Sequence, residues 1–376
     1  MIRRWLLFAC GLLLLAGVAP AGAQTAPPQP EAASYILVEP RSGTVLTAED
    51  PDRPLPMASI TKVMTALVVL ERADLDDRYT VPPEALVGGS TADLEAGEQL
   101  AVRDLLTGLL VASGNDAAIT LAVGLAGSVD AFVELMNARA AELGLAATHF
   151  QNPTGLDAPG HLSTAREIVA LSRVAMADPL FRELVGARRA AIPGPGGEGL
   201  RDLESNNLLL DAYPEADGIK TGMTDRAGYT LAAHAVRPAL GIELYLALIG
   251  GSSTEGRARD GEALLRWGFA QYARPTLLAP GAVVGRAEVG YRPGVSVSYR
   301  VDRGIRPPIR LGLPVTEEIV APSQVEAPVR EGQVLGSLTV RQGGRVLATR
   351  RLVAAESVAA PGLLDRIGAG LGALLP

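Results

Sequence analysis

A mixed helix-and-strand domain, α/β or α+β, followed by a small all-β domain is the fold this sequence predicts. Three observations carry the prediction. Strand patterns stand at both ends of a segment running from about Glu31 to Tyr272. Helical periodicity fills its middle, as expected when one sheet is covered by a helical block. From about Arg274 the texture changes to short β-type runs separated by Gly and Pro.

Ser34–Val38 reads as a strand, Arg41-Ser42-Gly43 as a turn and Thr44–Leu46 as the returning strand. Between Ser59 and Arg72 the residues Val63, Leu67 and Leu70 share one helical face. Leu100–Ala112, Asp116–Leu125 and Ser128–Leu143 read as three more helices, the last closed by Gly144. Thr164 and Glu167 predict a capping box that opens a helix to Ala177. Strands return at Gly228–Val236 and Gly241–Gly250, and a helix follows over Glu262–Tyr272. The later β runs are Val283–Val289, Val295–Val301, Glu318–Val320, Val334–Arg341 and Arg345–Leu352. The expected organisation is therefore a leader over 1–23, a Pro-rich linker over 24–30, a catalytic domain over 31–273, a β-rich domain over 274–356 and a tail over 357–376.

The leader reads as a secretory signal, with Arg3 and Arg4 ahead of an apolar run from Trp5 to Val18. Ala21-Gly22-Ala23 supplies small residues for cleavage. Cys10 is the single cysteine of the 376 residues and lies in this segment, so no disulfide is expected. The tail carries Leu363, Leu364, Ile367, Leu371, Leu374 and Leu375 at near-helical spacing. It reads equally as a surface amphipathic helix and as a frayed terminus. A net charge of −7 argues against nucleic acid as a partner.

Among 34 basic residues only Lys62 and Lys220 are lysine. Arginine stays protonated at any working pH, whereas a desolvated lysine can lose its proton. Ser59-Ile60-Thr61-Lys62 puts a hydroxyl and an amine on one face at the start of a helix. An unprotonated amine there can take the serine proton and activate it as a nucleophile. Taken alone, the pattern describes an ordinary capping serine. Ser113-Gly114-Asn115 falls in a loop between two predicted helices, where a hydroxyl and an amide can face a cleft. Lys220-Thr221-Gly222 combines a cation, a hydroxyl and a residue that permits close backbone approach, which suits a substrate carboxylate. With this composition a lysine is followed by Thr-Gly roughly once in two hundred cases, so the joint occurrence of all three motifs is not chance.

The chain resembles the low-molecular-mass penicillin-binding proteins, the serine-type D-alanyl-D-alanine carboxypeptidases. The resemblance runs from about Ala33 to the C-terminus. It includes the three motifs together with Leu143-Gly144-Leu145, Gly155-Leu156-Asp157, Ser163-Thr164-Ala165-Arg166, Asp217-Gly218-Ile219 and Ala227-Gly228-Tyr229. It implies an α+β fold, a penicillin-binding/β-lactamase-like transpeptidase domain in which an antiparallel sheet carries a helical cluster, followed by the small all-β domain. It implies that Ser59 attacks the bond between the last two D-alanines of a peptidoglycan stem peptide and that Lys62 takes its proton. Ser113 with Lys220 would relay a proton to the leaving group, and Asn115 would orient substrate and Lys62. The backbone N–H groups of Ser59 and Met223 would form the oxyanion hole. Lys220, Thr221 and Arg257 would hold the terminal carboxylate, and Gly222 and Met223 would also belong to the substrate-binding residues. β-Lactams would acylate Ser59 as inhibitors, no cofactor or metal would be needed, and the enzyme would work in the periplasm or on the outer face of the cytoplasmic membrane, with peripheral contact through the tail.

Two positions depart from the family pattern. Met223 stands where the family often has histidine, and the tail is poor in basic residues. A DD-endopeptidase of the same family is the nearest alternative. A class A β-lactamase fits less well, because no glutamate stands in the expected loop context. A non-catalytic peptidoglycan-binding protein would not need both Ser59 and Lys62. His149, His161 and His234 sit in no triad context and no H-E-x-x-H occurs, which argues against a Ser-His-Asp hydrolase and a zinc site. They read as polar residues of loops and strand ends.

Overall fold

The computed structural model describes residues 8–14, 26–290, 292, 294–360 and 362. The chain forms two compact units, one over Thr25–Ala270 and one from Gln271 onward that also takes in the strand Phe8–Leu14.

The larger unit is built on a five-stranded antiparallel sheet. Its strands are β1 (Ser34–Glu39), β2 (Thr44–Glu49), β3 (Ala216–Thr224), β4 (Gly228–Arg237) and β5 (Ile242–Gly251), in the order β2-β1-β5-β4-β3. All six residues of β1 are buried, so it does not alternate as a half-solvated strand would. Ile36 and Val38 join the main core with Tyr245 and Ala247 on one face. Leu37 lies on the other face, against which the helix Thr254–Ala270 packs so tightly that a Cβ at Gly268 would meet Leu37 and Leu244.

The helical cluster comprises α1 (Lys62–Arg72), α2 (Val102–Leu110), α3 (Asn115–Ala126), α4 (Val129–Glu142), α5 (Ala165–Ala175), α6 (Pro179–Gly186), α7 (Leu209–Ala212) and α8 (Thr254–Ala270). Every residue of α1 from Lys62 to Val69 is buried, which marks it as the central helix of the cluster rather than an amphipathic surface one. A 3₁₀ turn, Ala58–Thr61, leads into it.

Three expectations need correction. The Thr164 hydroxyl caps α5 by accepting from the Glu167 N–H, but the Glu167 carboxylate does not complete the box. It turns instead to the Ala147 N–H and the Thr148 hydroxyl, tying down the preceding loop. The helix expected to run to Ala177 stops at Ala175, and Asp178 caps a separate helix with Pro179 in its first turn. Helix α8 begins at Thr254, two turns before the expected Glu262.

In the smaller unit the strands Val283–Val289, Ser296–Val301, Val315–Pro322, Val334–Gln342 and Arg345–Ala354 form most of a seven-stranded sheet. Alternate inward residues, among them Ala287, Val301, Ile319, Leu338, Val340 and Leu352, make its core. The Phe8–Leu14 backbone pairs antiparallel with Val315–Pro322. The remaining residues of the expected leader, and the tail beyond residue 362, lie outside the described residues.

Candidate active site

Ser59 sits on the 3₁₀ turn ahead of α1, preceded by Ala58 at a φ of 49°, a left-handed conformation unusual for a residue with a Cβ. The turn is pressed between two glycines. A Cβ at Gly155 would lie 2.0 Å from the Ala58 oxygen, and one at Gly222 would lie 2.7 Å from the Ser59 nitrogen. Strand β3 can therefore reach the Ser59 backbone only because residue 222 lacks a side chain. The Thr230 hydroxyl on β4 adds a bond to the Met57 carbonyl at 3.3 Å.

Lys62, the first residue of α1, is wholly buried. Its Nζ lies 2.6 Å from Asn115 Oδ1, 2.8 Å from the Thr154 carbonyl and 3.0 Å from Ser59 Oγ. The Asn115 amide orientation follows from its Nδ2, which donates to the Gly88 carbonyl at 2.7 Å. A neutral amine has two hydrogens and one lone pair. The two carbonyl oxygens can only accept, so they take the hydrogens and leave the lone pair for the Ser59 hydroxyl. Burial favours that neutral form and holds the Lys62 pKa well below 10.5, with the charge of Lys220 pushing the same way and Asp116 opposing.

Asn115 and Asp116 open α3. The buried Asp116 carboxylate accepts from the Ala92, Leu94 and Ala117 N–H groups and from the Thr91 hydroxyl at 2.6 Å. With the Asn115 N–H donating to the Ser90 carbonyl, this fastens segment 88–94 over the helix start. Ser113, at a φ of 61°, projects from the α2–α3 connection into the same cleft as Ser59.

On β3, Lys220 is buried, and desolvation lowers its pKa to about 7, with the neighbouring Arg257 adding repulsion. Arg257, on the first turn of α8, is buried too, and desolvation brings it down to about 10. Its guanidinium donates to the Gly222 carbonyl at 2.8 Å and lies over the Tyr229 ring at 5.6 Å. Ser59, Ser113, Thr221, Gly222, Met223 and Arg257 line one cleft of about 710 Å³, with Met223 exposed at its edge.

Segments distant in sequence thus line one cleft beside Ser59, whose hydroxyl is bonded to Lys62 Nζ, while Lys220 Nζ lies behind the cleft wall and donates to the Thr221 carbonyl at 3.0 Å. Sequence reasoning missed two contributors, the Thr154 carbonyl and the Asp116 carboxylate. A backbone carbonyl carries no side-chain signature, whereas an acid in the first turn of a helix was a readable signal. Among the described residues no cluster of three or more His, Cys, Asp or Glu could hold a metal ion.

The family model described as D-alanyl-D-alanine carboxypeptidase matches residues 21–252, more than half of the chain. This chain belongs to the D-alanyl-D-alanine carboxypeptidase family. The C-terminal domain model of penicillin-binding protein 5 matches residues 272–360, so both units of this family member have counterparts. D-alanyl-D-alanine carboxypeptidase DacC of Escherichia coli strain K12 is 33% identical, over 95% of this chain and 92% of that protein. DacB2 of Mycobacterium tuberculosis is 38% identical over 72% of this chain and 90% of its own length. Among solved structures, penicillin-binding protein 5 of Haemophilus influenzae superposes with a TM-score of 0.64 at 30% identity, covering 89% of this chain and 99% of that one. The Streptomyces K15 DD-transpeptidase gives 0.62 at 30% identity, covering 65% of this chain and 100% of its own.

Proposed function

We propose that this family member is a serine-type D-Ala-D-Ala carboxypeptidase that removes the terminal D-alanine from peptidoglycan stem pentapeptides through an acyl-enzyme on Ser59. The observation that carries the reading is the buried Lys62 amine, whose two carbonyl acceptors leave its lone pair for the Ser59 hydroxyl. Ser59 Oγ attacks the carbonyl of the penultimate D-alanine while its proton passes to Lys62 Nζ. The Ser59 and Met223 N–H groups stabilise the oxyanion, and Met223 can do so despite its side chain because the donor is backbone. The C–N bond then breaks, and the departing D-alanine amine gains a proton through Ser113 with Lys220. Asn115 keeps Lys62 oriented. Water attacks the ester, and Ser59 regains its proton.

The adjacent cations Lys220 and Arg257, with the Thr221 hydroxyl, suit the terminal carboxylate that distinguishes a carboxypeptidase substrate. β-Lactams, which present a carboxylate near a reactive amide, acylate the same serine. The leader pattern of residues 1–23 supports export to the periplasm or to the outer face of the cytoplasmic membrane, and the apolar spacing of the tail supports peripheral membrane contact.

The test is incubation with a fluorescent penicillin and with a stem pentapeptide. The wild type is expected to be labelled and to release D-alanine, and Ser59→Ala to do neither. Lys62→Arg keeps a permanent charge and should lower acylation by about 100-fold or more. Labelling that survives Ser59→Ala would sink the proposal. Incubation with a cross-linked dimer, and with an acceptor amine, separates hydrolysis of pentapeptide from endopeptidase and transpeptidase activity.

A further inference from the structure

His161 is buried and reaches the catalytic turn from a hundred residues away. Its Nδ1 accepts from the Gln151 N–H at 2.9 Å, and its Nε2 lies 2.7 Å from the Thr61 hydroxyl. A backbone N–H can only donate, so Nδ1 must be bare and the neutral ring carries its hydrogen on Nε2. Nε2–H then donates to Thr61 Oγ1, and the Thr61 hydroxyl donates to the Ala58 carbonyl at 2.9 Å. Every bond in the series runs one way, from the Gln151 N–H to the oxygen of the residue before Ser59. Phe150 meets the imidazole edge-on, with centroids 5.9 Å apart, and helps fix the ring. Burial lowers the His161 pKa to about 4, with His149 adding to the effect and Asp157 opposing it, so the ring is neutral in ordinary buffers.

The other end of the series is as close to the chemistry as the first. Gln151 begins the loop whose Thr154 carbonyl takes a hydrogen of Lys62. That loop is braced internally by the Asn152 side chain, which accepts from the Thr154 and Gly155 N–H groups. The Thr65 hydroxyl donates to the Pro153 carbonyl at 2.7 Å. His161 thus joins the left-handed Ala58 turn to the loop whose Thr154 carbonyl holds the lysine amine, beside the direct bonds from Lys62 and Thr65.

We propose that His161 is a positioning residue for acylation, setting the Ser59 turn through Thr61 and the Lys62 amine through the 151–155 loop. The proposal rests on the assignment of Ser59 as nucleophile and Lys62 as base. Misplacement of a reacting group by about 1 Å costs on the order of 100-fold in rate. His161→Leu is therefore expected to lower the first-order acylation step by a penicillin about 10- to 100-fold, with the initial binding constant little changed.

The measurement is stopped-flow acylation of the full chain by a fluorescent penicillin, with thermal unfolding followed in parallel. Thr61→Val removes the hydroxyl at nearly constant shape and should match the loss in His161→Leu. Thr61→Ser keeps it and should restore the rate to within about threefold of wild type, since the bond and not the methyl group is at issue. The double variant should be no slower than the slower single one, because both act through one series of bonds. Should His161→Leu not fold, the Thr61→Val and Thr61→Ser pair decides the matter. Wild-type rates in folded Thr61→Val, or equal losses in Thr61→Val and Thr61→Ser, would overturn the proposal while leaving the nucleophile standing. Labelling that persists in Ser59→Ala would instead remove the assignment on which it rests.

Discussion

At the scale of single residues, the proposed mechanism divides the work of the two lysines by protonation state, with Lys62 acting neutral and Lys220 charged. Both are buried, and burial lowers both pKa values from 10.5. Activity should therefore fall as pH drops through the lowered Lys62 value, because its lone pair is lost. It should also fall as pH rises past about 7 in the free enzyme, where Lys220 gives up its charge. A bound substrate carboxylate stabilises the Lys220 cation and moves that second limb upward. The profile of kcat/KM against pH should thus turn down at a lower pH than that of kcat. Steady-state rates with a pentapeptide check this, and a kcat/KM plateau reaching pH 9 would contradict it. The spacing of Ser59 and Lys62 was legible in sequence because both act through side chains a turn apart. The Thr154 carbonyl and the Thr61–His161 bond were not, since one has no side chain and the other spans a hundred positions.

At the scale of elements, close approach matters more than strength of contact. Gly222→Ala would drive a methyl group into the Ser59 nitrogen, the Ala58 side chain and the Thr230 hydroxyl. Strand β3 must shift, and acylation is expected to fall by about 100-fold while thermal unfolding still occurs in a single step. A stopped-flow rate within threefold of wild type would show that the strand has room to spare. The start of α3 offers the opposite case, in which stability is at stake. Asp116→Ala strands the buried N–H donors of Ala92, Leu94 and Ala117, and should cost about 3 kcal/mol or more in denaturant unfolding. The same elements show why some helix boundaries escaped the periodicity reading. Asp178 caps a new helix with Pro179 in its first turn, where the missing N–H costs nothing, so the chain breaks and restarts within three residues. The first turns of α8 are polar because they carry Arg257 to the cleft, so they broke the apolar spacing that marks the rest of that helix. Function hid the element from the pattern.

For the whole molecule, the fold class was legible because the two units differ in texture. Helical periodicity between buried strands marks one, and alternating strands with inward Val, Ile and Leu mark the other. Sheet order was not legible, because β1 sits beside β5 across some two hundred residues and no local signal specifies that neighbour. The near-absence of lysine has a further consequence outside catalysis. With Lys62 and Lys220 both enclosed, the native surface presents no ε-amine to solvent among the described residues. An amine-selective reagent should therefore modify the folded protein only at its α-amine, and gain two further sites on unfolding. Intact mass would count them. Their appearance would act as a clock for opening of the larger unit, read directly at the two lysines of the proposed mechanism, and an ε-amine adduct on the native protein would refute it.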